Sequence, residues 1–225
     1  MPVIELLPDP KDKKRKPYPL NWSEQDVLMA QLPEYLRQMA LFAVNTGCRD
    51  GEVCNLRWEW EHKIDQLGTS VFVIPAEFVK NDTKRLVVLN SVASEVIESC
   101  RGKSETHVFS YLGRPLSRMN NRAWRKARMD AFKQFGGTTE KAAENKERKV
   151  PCLSNVRVHD LKHTFGNRLM TAGVSLELRK ELLGLKTNDI TVHYSHTALQ
   201  VLFEAAELVR PKSEEDREDV IVLRL

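Results

Sequence analysis

The chain lacks the features that would place it among secreted, membrane or disulfide-rich proteins. It has only four cysteines in 225 residues, and no two of them form a C-x-x-C pair, so we expect reduced thiols. No apolar run approaches the roughly 20 residues that span a bilayer. The opening residues show neither the basic nor the apolar region of a secretory leader. We therefore expect a cytoplasmic protein without a membrane segment.

Charge of one sign does not dominate either. Hydrophobic residues make up 41% of the chain and charged residues 29%, which is typical of a soluble globular protein. The formal net charge is +4 and the sequence pI is about 8.8. This balance permits a polyanionic partner such as nucleic acid, but it is too weak to predict one alone.

Composition divides the chain into three parts. Residues 1–20 combine several prolines with a basic run and predict an extended basic linker. Residues 21–210 predict a single domain, interrupted at 136–150 by a stretch with almost no large apolar side chains, which we interpret as a mobile insertion. Residues 211–225 change from acidic to β-prone composition, and we expect this tail to be exchanged between protomers.

Periodicity predicts a mainly α-helical fold with a small antiparallel β-sheet, an α+β domain. Apolar residues recur at helical spacing from Pro33 until Gly47 ends the pattern, and Arg49 then opens the next helix. The runs at 71–74 and 85–89 are rich in β-branched residues and predict a hairpin. Further helices are predicted at about 91–100, 118–133, 159–172, 176–183 and 197–210.

Several residues have the chemistry of a phosphoryl-transfer centre. Tyr194 can attack a phosphodiester only if cations meet the developing charge on the phosphate and a donor protonates the departing oxygen. With a pKa of about 10, only about one tyrosine in a thousand is ionised at pH 7, so the phenol needs a base or a strong positive field. Arg49, Lys80 and His159 are the residue types that such a site requires.

A basic helix face is the second candidate site. The predicted helix at 118–133 carries Arg118, Arg122, Arg125 and Lys126, which we expect to contact the phosphate backbone of DNA. A merely solvated basic face is the commoner meaning of this pattern and stays open.

Three stretches together resemble the catalytic domain of the tyrosine recombinases, the phage integrase family. The first runs from Asn45 through Thr46-Gly47-Cys48-Arg49 to Trp58, and the second is Val158-His159-Asp160-Leu161-Lys162-His163-Thr164-Phe165. The third begins at Leu182-Leu183-Gly184 and ends at His193-Tyr194-Ser195-His196. The resemblance covers about residues 20–205 and implies the fold of the DNA breaking-rejoining enzymes.

The resemblance also implies a role for each site residue. Arg49 matches the first phosphate-clamping arginine, and Glu52 orients its guanidinium. Lys80 matches the hairpin lysine that protonates the leaving 5′ oxygen. His159 matches the histidine that contacts the phosphate and accepts the phenolic proton, and Tyr194 matches the nucleophile, which implies a 3′-phosphotyrosine intermediate.

Two positions depart from the family pattern. Lys162 stands where the family usually has a second arginine, and it lacks the bidentate fork of a guanidinium. Leu185 stands where the family usually has histidine or tryptophan, and it cannot donate a hydrogen bond; Lys186 is the nearest substitute. These departures favour a reduced activity. Lys84 is an alternative to the hairpin lysine, and His196 is a supporting residue.

The resemblance implies that the reaction needs no cofactor. His159, Asp160 and His163 have no cysteine pair at zinc spacing, so no metal is expected. The expected partner is double-stranded DNA, bound by a tetramer on paired sites and by a monomer or weak dimer without DNA, at the nucleoid of a bacterial cell.

The resemblance further predicts that an N-terminal core-binding domain is missing from this chain. Site-specific recombination or integration of mobile-element DNA is the expected function. A non-catalytic DNA-binding relic of the same fold and a type IB topoisomerase-like activity stay open as alternatives.

Overall fold

A computed structural model describes residues 15–148, 150–185 and 196–210. These residues are mostly helical, with one small antiparallel sheet, which confirms the predicted fold class. The three strands are β1 (Glu61–Ile64), β2 (Thr69–Ile74) and β3 (Arg85–Val88). The helices are α1 (Trp22–Gln31), α2 (Glu34–Thr46), α3 (Asp50–Cys54), α4 (Ser91–Cys100), α5 (Arg122–Gln134), α6 (Thr139–Glu147), α7 (Val158–Thr171), α8 (Leu176–Leu182) and α9 (His196–Glu207).

The sheet has the order β1-β2-β3, and both pairs are antiparallel. The predicted hairpin is the β2–β3 pair, in which Phe72 faces Val87 and Ile74 faces Arg85. Strand β1 pairs with β2 through His62 opposite Val71 and was not predicted. Its four residues, Glu-His-Lys-Ile, show too little alternation of apolar and polar side chains to indicate a strand.

Helix α2 lies at the centre of the domain. Its side chains Leu36, Met39, Ala40 and Phe42 are fully buried, and it packs against α4 on one side and α7 on another. The amphipathic pattern recognised in the sequence is therefore the pattern of a core helix. A second apolar cluster joins Phe165 and Leu169 of α7 with residues of α8 and α9, including Leu182, Leu202 and Ala206.

A single glycine ends α2 and makes room for α7. Gly47 has φ +63°, a left-handed conformation that non-glycine residues adopt at a cost. A Cβ atom at this position would lie 2.7 Å from Cδ1 of Phe165. The predicted helix stop is confirmed, and the close approach brings the start of α3 next to α7.

Two segments that composition set apart have defined local structure, and the predicted domain bounds stay predictions. Residues 15–20, expected as the end of a linker, form no regular secondary structure, but Tyr18 and Leu20 are buried. Within the predicted insertion at 136–150, helix α6 forms because the Thr138 side chain accepts a hydrogen bond from Lys141 N (3.2 Å) and Ala142 is buried. The first fourteen residues and the tail at 211–225 lie outside the described residues.

All four cysteines lie within the described residues. All four cysteines are free, and Cys48, Cys54 and Cys100 are buried. Of the helices in the described part of the chain, none has the length and apolarity needed to cross a bilayer.

Candidate active site

Arg49 and Glu52 form a fixed pair at the start of α3. Arg49 is the N-cap residue, and its backbone N donates to Oε2 of Glu52 (2.8 Å) while its Nη1 donates to Oε1 (2.7 Å). Glu52 is 2% exposed, whereas the Arg49 side chain is 19% exposed. The carboxylate thus holds one edge of a guanidinium that still reaches solvent, which is the arrangement needed to bind an external anion.

A second arginine, Arg85 of β3, approaches Glu52 from inside the domain. Its Nη1 donates to Oε2 of Glu52 (2.8 Å), and the Arg85 side chain is only 1% exposed. Burial alone would raise the pKa of the Glu52 carboxyl, but the charge of Arg85 and the hydrogen bonds from Arg49 outweigh it and hold the pKa below its ordinary value. Glu52 is therefore an anion shared by two arginines. Arg85 was not predicted as a site residue, because an arginine that opens a β-run usually points to solvent.

Lys162 lies beside this pair but points at backbone. Its Nζ donates to the carbonyl oxygen of Gly47 (2.7 Å) and to that of Leu183, and the residue is 6% exposed. Burial, and next the charges of Arg85 and Arg49, lower its pKa to about 7. The amine thus links the turn before Arg49 to the end of α8. Its predicted contact with a DNA phosphate stays a prediction.

His159 sits on the first turn of α7, one helical turn before Lys162. The residue is exposed, and its ring meets that of His163 edge to face at 4.7 Å between centroids. Burial of part of the ring, and then the charges of His163 and Lys162, lower its pKa. A neutral imidazole at pH 7 is able to accept a proton.

The buried carboxylate next in sequence, Asp160, anchors the first turn of α7. It accepts hydrogen bonds from Nη2 of Arg157 (2.9 Å), from Nη2 of Arg15 (2.9 Å) and from the backbone N of Tyr18 (3.2 Å). Burial raises the pKa of Asp160, but the bonds from Arg157 and the charge of Arg15 lower it further than burial raises it. The segment 15–20 is thereby tied to the helix that carries His159.

The two hairpin lysines are placed in the connection between β2 and β3. Lys80 and Lys84 are both exposed there, four residues apart. The role of Lys80 as the hairpin lysine, with Lys84 as its alternative, stays a prediction.

Four other predicted site residues are near or beyond the limits of the described chain. Leu185, the last described residue after α8, is 44% exposed. Tyr194 and Lys186 lie outside the described residues. His196 is the first residue of α9. Along the sequence, Tyr194 falls between α8 and α9, and its role as the nucleophile stays a prediction. The described residues that follow α8 begin at Leu183, whose carbonyl oxygen accepts from Arg85 and Lys162.

The basic face of α5 is confirmed as a surface. Arg122, Arg125 and Lys126 are exposed, while Trp124 and Ala127 on the opposite face are buried. Arg118 precedes the helix, because α5 begins only after the Asn121 side chain caps it by accepting from Trp124 N (3.1 Å). Contact of these side chains with DNA stays a prediction. Within the described ranges, no three His, Cys, Asp or Glu residues are grouped as metal ligands.

Comparisons with known proteins all point to one family. Residues 21–200 match the model of the phage integrase family. The integrase of Salmonella phage P22 is 26% identical over 213 residues, which cover 92% of this chain and 50% of that protein. The tyrosine recombinase XerD of Lacticaseibacillus casei is 26% identical over 209 residues, covering 90% of this chain and 66% of that protein.

The fold agrees with these relatives. The site-specific recombinase XerH, solved bound to its difH substrate, superimposes with a TM-score of 0.50 at 17% identity, covering 90% of this chain and 53% of that one. The chain spans about half the length of the P22 integrase that it matches. Because the family match extends over most of the sequence, the chain belongs to the phage integrase family.

Proposed function

We propose that this chain supplies the catalytic centre for breaking and rejoining duplex DNA in site-specific recombination or integration of mobile-element DNA. The observation that carries the proposal is the Arg49–Glu52 pair, in which a buried carboxylate fixes a partly exposed guanidinium. A guanidinium presented in this way suits two oxygens of a phosphate. Family membership supplies the reaction for which such a clamp is used.

In the proposed reaction, the Tyr194 hydroxyl oxygen attacks the scissile phosphorus and forms a 3′-phosphotyrosine bond. The bond between phosphorus and the 5′ oxygen breaks. His159 takes the phenolic proton, and Lys80 gives a proton to the departing 5′ oxygen. Attack by a 5′-hydroxyl on the phosphotyrosine reverses these steps, so the strand is rejoined without a metal or a nucleotide energy source.

Arg49 supports the chemical step by meeting the charge that develops on the non-bridging oxygens. His159 supports it by its lowered pKa, which keeps the imidazole neutral and ready to accept a proton at pH 7. Lys162 differs from the usual second arginine, and its bonds to two backbone carbonyls favour a reduced rate relative to family members with a full clamp.

The proposed partner is double-stranded DNA, with the exposed basic face of α5 on the phosphate backbone. A tetramer on paired sites, with a monomer or weak dimer in the absence of DNA, is the proposed assembly. The named relatives are integrases and recombinases, so the comparisons do not favour a regulatory relic or a topoisomerase.

Covalent trapping tests the proposal. A pool of nicked duplexes with randomised sequence around the nick is incubated with the chain, and complexes that survive denaturation are recovered and sequenced. The nick lets the short strand with its 5′-hydroxyl diffuse away, so the adduct accumulates. We expect an adduct with the natural chain and none with Tyr194→Phe. DNA binding without an adduct in the natural chain would refute the catalytic proposal.

A further inference from the structure

Arg85 joins three separate parts of the chain at one buried point. Its Nη1 donates to Glu52 (2.8 Å) and to the carbonyl oxygen of Leu183 (3.2 Å). Its Nη2 donates to the carbonyl oxygens of Thr46 (3.2 Å) and Leu182 (3.4 Å). One guanidinium thus connects α3, the end of α2 and the end of α8.

The first of these connections reaches Arg49. Glu52 Oε2 is shared between the Arg49 backbone N and the Arg85 Nη1, and Oε1 is taken by the Arg49 side chain. Removing Arg85 would leave the carboxylate held from the Arg49 side alone. Because Glu52 sets where the Arg49 guanidinium points, a shift of Glu52 is transmitted to the group that would meet the phosphate.

The second connection reaches the end of α8. The last carbonyls of a helix have no partner within it, and cations are favourable at this negative end of the helix dipole. At the end of α8, Arg85 donates hydrogen bonds to the carbonyl oxygens of Leu182 and Leu183. Lys162 also donates to the carbonyl oxygen of Leu183.

The next residue, Gly184, lies against Arg85 in a conformation that favours glycine. It has φ +57°, and a Cβ there would lie 2.9 Å from Nη1 of Arg85. The chain therefore leaves α8 directly over the guanidinium, with no side chain in between. Arg85 and Gly184 together fix the point from which the connection toward Tyr194 starts.

We infer that Arg85 is a positioning residue for the phosphate site, which orients Arg49 through Glu52 and holds the end of α8 against the same buried point. The inference rests on the proposed function. Arg85 is too deeply buried to touch DNA, so its effect is on the rate of the chemical step and not on affinity. A purely structural arginine would instead lower the amount of folded protein and slow every substrate by the same factor.

The test compares two substrates that differ in phosphate charge. Nicked duplexes recovered by covalent trapping are prepared with either a phosphodiester or a methylphosphonate at the scissile position. The methylphosphonate replaces a charged oxygen by a methyl group, so it depends less on the orientation of the Arg49 cation. Single-turnover cleavage rates and DNA dissociation constants are measured for each variant.

For Arg85→Met we expect cleavage of the phosphodiester to fall by about 100-fold, the loss expected for a misplacement of about 1 Å in the site. We expect a fall of less than about fivefold on the methylphosphonate, where the Arg49 charge has less to stabilise. The dissociation constant should stay within about threefold, since a buried side chain makes no DNA contact. Equal slowing on both substrates, or no slowing, would overturn the inference.

Arg168→Met is the matched control. Arg168 is a half-buried arginine. Its guanidinium lies 3.4 Å from the ring centroid of Trp22 and donates to Gln25, away from Glu52. We expect this variant to change both rates by the same factor. A preferential loss on the phosphodiester in Arg168→Met would overturn the inference, because the effect would then not be specific to Arg85.

A second variant covers the case in which Arg85→Met does not fold. Arg85→Lys keeps the charge, but one amine cannot reach Glu52 and the ends of both α2 and α8. We expect it to fold and to lose phosphodiester cleavage selectively, and a full rate would overturn the inference. If the natural chain forms no adduct on either substrate, the proposed function fails and the inference with it, whereas adduct formation with unchanged Arg85 variants refutes the inference alone.

Discussion

Replacing Glu52 by glutamine is expected to destabilise the domain strongly. The carboxylate is 2% exposed, and its neighbour Arg85 has a side chain that is 1% exposed. The neutral amide removes the only carboxylate that pairs with Arg85 within the described residues, so a buried cation is left without a counter-charge. Breaking a buried ion pair by removing one partner costs about 3–5 kcal/mol, a large share of the roughly 5–15 kcal/mol by which domains are stable.

Urea unfolding at pH 7, followed by circular dichroism, measures the loss. Glu59→Gln is the matched control, because Glu59 pairs with Arg57 at 3.2 Å but is 64% exposed. An exposed pair is worth at most about 1 kcal/mol. If Glu52→Gln costs no more than Glu59→Gln, the buried arginine does not depend on Glu52 and the reasoning is wrong.

The same variant has a predicted pH dependence. The pKa of Glu52 is lower in the folded chain than its unfolded value of about 4.3. A lowered carboxyl pKa contributes stability that is present above about pH 4.3 and is lost as the pH falls through the folded value. The free-energy difference between the natural chain and Glu52→Gln should therefore be full at pH 7 and shrink below about pH 4. A difference that is constant down to pH 3 would contradict this.

Two further substitutions test the surroundings of the site. Gly47→Ala should cost about 2–4 kcal/mol, since a left-handed alanine costs about 1–2 kcal/mol and its Cβ would meet Phe165 at 2.7 Å. Gly102→Ala, with φ +77° and open space around it, should show only the backbone cost in the same urea titration; equal losses would contradict the packing argument. The unfolding free energy of the natural chain should rise between about pH 7 and pH 10, and Lys162→Met should reduce this rise. Burial, and next Arg85, lower the pKa of this lysine to about 7, so over that range the folded chain releases a proton that the unfolded chain keeps. An unchanged slope of unfolding free energy against pH would show that Lys162 is not the group that titrates.

Local patterns predicted most of the fold. Helix α2 and its stop at Gly47 followed from apolar spacing and one glycine, and the β2–β3 hairpin followed from two β-branched runs. These signals lie within a few residues of one another, so composition and period are enough to detect them. Helix α6 was not predicted, because it has only a Thr138 cap and one buried alanine in an otherwise polar stretch.

The interior of the site could not be predicted in the same way. Arg85 contacts Glu52 33 residues away and Leu183 98 residues away, and nothing in its own neighbourhood distinguishes it from a solvated strand arginine. Lys162 was identified by its place in a motif, but its bonds to Gly47 and Leu183 depend on how α7, α2 and α8 pack. The position of a residue in a motif predicts that it belongs to the site, whereas the packing of the helices determines which groups its side chain contacts.

Tyr194 as the nucleophile is tested by identifying the residue that becomes linked to DNA. The trapped adduct is digested with nuclease and trypsin, and the peptides are analysed by mass spectrometry. Trypsin releases residues 187–212 as one peptide, because Pro211 blocks cleavage after Arg210, and Tyr194 is its only tyrosine. We expect a nucleotide mass on this peptide, located to Tyr194 by fragmentation. A nucleotide on any other peptide, or a stable adduct formed by Tyr194→Phe, would contradict it.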